Sequence, residues 1–117
     1  MNLTHRPIYQ KGAKPAKSKP IRDASRDATC QFAIPGVCTG DTQTVVGCHV
    51  SIPGMSAGMG QKNDDLFLID GCADCHAVFD DRDAFAAAPI EWLDVLRAMM
   101  KSQQHRRSAG LILLAGE

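Results

Sequence analysis

The stretch Cys72-Ala73-Asp74-Cys75-His76, followed at helical spacing by Asp80, decides how this chain is read. A Cys-x-x-Cys pair presents two thiolates to one tetrahedral zinc, and such a site needs two further ligands. Cys30 and Cys38 supply them on either side of the Ile34-Pro35-Gly36 turn, so cysteines from two distant loops would close one structural site. His76 is then left over. A helix opening at the second cysteine puts His76 and Asp80, four residues apart, on one face, as a second metal site requires.

Length and charge narrow the class. A chain of 117 residues has room for one small domain, and a domain of that size buries little surface, which makes a structural metal a natural source of stability. Five cysteines is an odd number, and in a reducing compartment thiols serve as metal ligands more often than as disulfides. The formal net charge is zero but unevenly spread. Arg6, Lys11, Lys14, Lys17, Lys19, Arg22 and Arg26 stand against Asp23 alone at the amino terminus, whereas residues 64–94 are strongly acidic and carry only Arg82. No apolar stretch follows the first cations, so a secretory signal is not expected and the cytoplasm is the expected location. The aliphatic run Leu111 to Ala115 is far short of the roughly 20 residues that span a bilayer, so no membrane segment is expected.

In chain order, residues 1–26 lack periodicity and are expected to form a disordered or loosely draped basic arm, with the domain occupying 27–117. The arm's cations either solubilise the chain or track phosphates. Gln43 to Val50 is expected to be a strand carrying His49, with Cys48 a small buried hydrophobe. A glycine-rich loop from Ser51 to Gln61 leads to a second strand at Leu66 to Ile69 and then to a helix from about Ala73 or Cys75 to Asp83. Asp74, Asp81 and Asp83 suit a solvated or helix-capping face, and His105 suits solvent. Pro89 suits the first turn of an additional helix, whose Ile90, Leu93, Leu96 and Met100 recur at core spacing; no cofactor role is assigned to Trp92. Leu111 to Leu114 is expected to add a short strand or helical turn.

The order strand with His49, loop, strand, Cys-x-x-Cys-His turn and helix with Asp80 resembles the HNH, or ββα-metal, nucleases. Cys30, Ile34-Pro35-Gly36-Val37-Cys38, His49, Asp65-Leu66 and Cys72-x-x-Cys75-His76-x-x-x-Asp80 are similar, more narrowly, to the short prophage-encoded nucleases of the YbcO type. The resemblance implies a small α+β domain of the ββα-metal type with a four-cysteine structural zinc site and an extra C-terminal helix. It implies His49 as the general base, His76 and Asp80 as ligands of a catalytic divalent cation such as Mg²⁺, and Asp65 in the middle HNH position, with Asn63 as its neighbouring alternative. The expected activity is metal-dependent endonucleolytic hydrolysis of phosphodiester bonds in DNA, and a nuclease that cuts both strands would act as a homodimer.

The residue types suit that chemistry. A neutral imidazole can take a proton from water near pH 7, and a divalent cation stabilises the charge that grows on phosphoryl oxygens. The main rival is a non-catalytic zinc module that binds nucleic acid or a protein partner; it would use the four cysteines and the arm without needing His49, His76 and Asp80 together. A c-type haem attachment also fits Cys-x-x-Cys-His, but it implies export and leaves Cys30 and Cys38 unexplained.

Overall fold

Two short β-rich runs separated by a long connection form the only sheet among the described residues, which in this computed structural model are 15–52 and 62–117. Expectations placed on residues 1–14 and on the loop at 54–60 lie outside them. Val46–His49 (β1) pairs antiparallel with Leu68–Gly71 (β2), Val46 opposite Gly71 and His49 opposite Leu68. Both strands start later than expected. Asp41 caps a 3-10 turn at Thr42–Thr44 through the Gln43 N–H (3.0 Å), and the Phe67 N–H turns back to the Asp64 carbonyl (3.0 Å), so the flanking residues are used in turns.

All four β2 residues are buried. At Gly71 a Cβ atom would lie 2.7 and 2.8 Å from the Phe32 ring and 2.9 Å from the Cys48 sulfur, so only glycine fits. Cys48 itself is fully buried, and burial pushes its thiol up to about 12, which suits a packing residue.

Helix α2, Ala73–Asp80, follows β2 directly. The single helix expected to reach Asp83 breaks at Asp81, whose extended backbone and side chain cap a new helix, α3 (Arg82–Ala87), by accepting from the Asp83 and Ala84 N–H groups at 3.0 Å each. Helix α4, Trp92–Ser108, begins after Glu91, so Pro89 lies in the connection and not in the first turn. Asp94 accepts from the Glu91 N–H (2.9 Å), and His105, Arg106 and Arg107 complement the carboxyl end of the helix dipole. The helical period in the sequence was real, but the face was misassigned. Ile90 is buried, whereas Leu93, Leu96 and Met100 are exposed; the inward face of α4 is Val95, Ala98, Ser102 and Arg106. Residues 111–114 adopt no regular structure.

The inward Arg106 explains that face. Its Nη2 donates to Asp70 Oδ1 (3.0 Å) and to Ser25 Oγ (2.8 Å), its Nη1 to Asp70 Oδ2 (3.2 Å), and its Nε to the Ile21 carbonyl (3.0 Å). Both charged side chains are only 1% exposed. The Asp70 backbone is satisfied too, its N–H by Ser102 Oγ (3.0 Å) and its carbonyl by the Gln31 N–H (2.6 Å). His105 is exposed, as expected, and its Nδ1 lies 3.4 Å from Asp70 Oδ2.

This cluster also orders the end of the basic arm. Lys19–Asp23 form helix α1, with Ser18 as N-cap, Pro20 in the first turn and Ile21 buried. Residues expected to be loosely draped are therefore docked from at least Ala16 onward, because Ile21, Ser25 and Arg22 all have partners in the body of the domain. No helix among the described residues is long and apolar enough to cross a membrane.

Candidate active site and metal centre

Gly36 (φ +76°) allows the chain to turn so that the Val37 and Cys38 N–H groups both reach the Ile34 carbonyl, bringing Cys38 back beside Cys30. The α2 N-terminus brings Cys72 and Cys75 to meet them. One sulfur from each of the four cysteines lies within 4.8 Å of the others, with Cys72 and Cys38 4.0 Å apart. Four thiolates on a tetrahedral zinc with bonds of about 2.3 Å sit about 3.8 Å apart, so the donor set fits. Backbone N–H groups face the sulfurs: Thr39 and Cys75 toward Cys72, Gly40 toward Cys38, and Ile34 toward Cys75. Burial opposes ionisation of Cys72, but those N–H groups and the neighbouring thiols hold it down to about 6; burial raises Cys38 and Cys75. A cation in the cluster would stabilise all four as thiolates.

On the other side of β1 and α2, His49, His76 and Asp80 line one pocket of about 430 Å³. His76 Nε2 and Asp80 Oδ2 are 2.8 Å apart on one face of α2. Neighbouring ligands on an octahedral ion with bonds of about 2.1 Å are about 3.0 Å apart, so this pair fits a divalent cation and leaves other positions to water or substrate.

His49 Nε2 lies 2.8 Å from Asp65 Oδ1, which assigns the proton to Nε2 and the lone pair to Nδ1 in the neutral ring. Asp65 is held in turn by the Ser18 N–H and Arg22 Nη1, each 2.6 Å from Oδ2, while its own N–H donates to the Ala16 carbonyl (2.9 Å). Burial acts against the Asp65 carboxylate, yet the Ser18 N–H, His49 and Arg22 outweigh it and keep it below the ordinary carboxylate range. Asn63 is occupied elsewhere: its side chain donates to the Val50 carbonyl (2.9 Å) and accepts from the Asp64 N–H (2.8 Å).

Sequence reasoning missed Ser18 and Arg22, which it assigned to the arm. The signal was present in Ser18-Lys19-Pro20, an N-cap followed by proline in the first turn. It also missed Lys62 and the rings of Phe79, Phe85 and Trp92 in the pocket's other walls, which they share with Arg82.

Comparison with known proteins matches residues 19–111 to the family described as "Putative nuclease YbcO". Over 83 residues, 71% of this chain and 85% of each relative, the sequence is 36% identical to proteins of that description from Escherichia coli (strain K12) and from Enterobacteria phage 82. A solved structure described as "a putative bacteriophage protein from Escherichia coli str. K-12 substr. MG1655" is similar with a TM-score of 0.56 and 28% identity, covering 78% of this chain and 100% of that one. The matched span begins at α1 and contains the cysteine cluster, His49, Asp65, His76 and Asp80. By sequence, the chain belongs to the YbcO family.

Proposed function

We propose that the chain is a metal-dependent endonuclease of the HNH, or ββα-metal, type that hydrolyses phosphodiester bonds in DNA. The observation that carries this reading is the convergence of His49, held by Asp65, with His76 and Asp80 on one pocket. The family's printed description as a nuclease supports it. Cys30, Cys38, Cys72 and Cys75 hold a structural zinc, which fixes the loop before β1 to the start of α2 and so sets His76 relative to His49.

His49 Nδ1 accepts a proton from water as the water oxygen attacks phosphorus and the bond to the leaving oxygen breaks. Asp65 keeps the proton on Nε2 and stabilises the imidazolium that forms. His76 and Asp80 would hold a divalent cation, which when bound would supply Lewis-acid stabilisation of the phosphoryl charge.

The deciding experiment incubates plasmid, single-stranded and branched DNA with Mg²⁺, Mn²⁺, Ni²⁺ or Zn²⁺, with EDTA as control. His49→Ala should keep its zinc and its thermal melting but lose about 10²–10⁴-fold in cleavage rate. His76→Ala should lose cleavage and be poorly rescued by added metal. Absence of cleavage by the wild type under every metal, or full activity in His49→Ala, would instead favour a zinc-stabilised binding module.

A further inference from the structure

Trp92 is 53% exposed although it opens a helix and packs against two other rings, with centroid distances of 5.2 Å to Phe85 and 6.3 Å to Phe79. Phe79 is itself 4.8 Å from Phe32 in the core, so the cluster anchors the indole from behind. The same three rings line the pocket that holds His49, His76 and Asp80, and the wall also carries the exposed Lys62 and Arg82. Neither cation forms an ion pair among the described residues.

Hydrolysing a phosphodiester requires contact with phosphate alone, and apolar rings do nothing for that. An aromatic surface beside phosphate-binding cations is the combination that holds single-stranded nucleic acid, where every base offers a π-face that pairing and stacking conceal in a duplex. We infer that Trp92 is a stacking platform for an unpaired base next to the scissile phosphate, with Lys62 and Arg82 on the flanking phosphates, so that the substrate is single-stranded or locally unpaired nucleic acid. This inference rests on the nuclease reading for its chemistry but not for its binding. Asp80 and His76 are the groups at the cleavage position, and Trp92 sets which nucleotide reaches them.

Trp92 is the chain's one tryptophan, so its fluorescence reports the contact without interference. The test titrates a single-stranded oligonucleotide and its fully paired duplex into the full-length zinc-loaded protein, in buffer without added divalent cation. The single strand should quench the indole and the duplex should quench it much less. By anisotropy of a labelled single strand, Trp92→Ala should bind about 5- to 150-fold more weakly, the usual loss for one base–aromatic stack, and Trp92→Phe should retain most of the affinity. Zinc content and melting of both variants show whether they are folded, and quenching of the wild-type indole by single strand against duplex keeps the test decisive if Trp92→Ala is not. Unchanged fluorescence, equal quenching by duplex, or wild-type single-strand affinity in Trp92→Ala would overturn the inference. Binding and quenching without metal-supported cleavage would refute the nuclease reading and leave the stacking surface standing. His49-dependent cleavage with no quenching would do the reverse.

Discussion

Asp65 is the residue on which the proposed base depends, and its carboxylate is held by three groups from two parts of the chain. Because its native pKa is lowered, the stability it contributes is fully present above the unfolded value of about 3.9 and is lost as pH falls through the native value. Asp65→Asn should therefore be less stable than wild type at pH 7 and show a shallower acid limb in melting temperature against pH. Its cleavage should fall by up to about 10⁴-fold, since an amide no longer enforces the Nε2–H tautomer of His49. An identical pH–stability curve for the variant would show that Asp65 is not the clamped group. Arg22→Ala should move both readouts in the same direction and less far, because Arg22 is partly exposed and the Ser18 N–H remains.

At the scale of elements, helix α4 is attached through a buried ion pair and not through its largest apolar residues. Removing one partner of such a pair leaves the other charged and buried, which typically costs about 3–5 kcal/mol. Arg106→Met should lower stability in urea by that order, whereas Leu96→Ser, on the exposed face, should stay within about 0.5 kcal/mol. Gly71→Ala should cost about 1–3 kcal/mol by forcing Phe32 and Cys48 aside. If Arg106→Met melts like wild type, the pair is not what docks α4. These elements also show what the sequence could reveal. The cysteines were legible because ligand spacing is local, and the helical period of α4 was legible because it repeats. Which face of α4 turns inward was not, since that depends on Asp70, a β2 residue 36 positions from Arg106 and unremarkable by pattern. The partnership of Arg22 with Asp65, 43 residues apart, was hidden for the same reason, and the basic composition around Arg22 pointed toward disorder.

For the whole molecule, the cysteine cluster joins the loop before β1 to the start of α2, so the loss of a metal held there should be felt everywhere. Structural zinc in small domains is worth roughly 10–16 kcal/mol. Cys30→Ser or Cys72→Ser should give insoluble or unfolded protein, and purified wild type should carry about one zinc by elemental analysis. Zinc-free protein whose melting is indifferent to these substitutions would remove the metal from the fold.

A sheet of two strands has no interior strand, and every such strand is a template on which another chain could add itself. At the outer side of β2 the Asp70 N–H and carbonyl are already taken, by the Ser102 hydroxyl of α4 and by the Gln31 N–H. Helix α4 and Gln31 thus occupy the edge groups of Asp70 that another strand would need. Ser102→Ala should open that edge and raise the propensity to aggregate, visible as an earlier onset of light scattering on gentle heating, before the secondary structure melts. Refolding yield at high concentration would then be governed less by the strength of the core than by whether α4 docks before two exposed β2 edges meet.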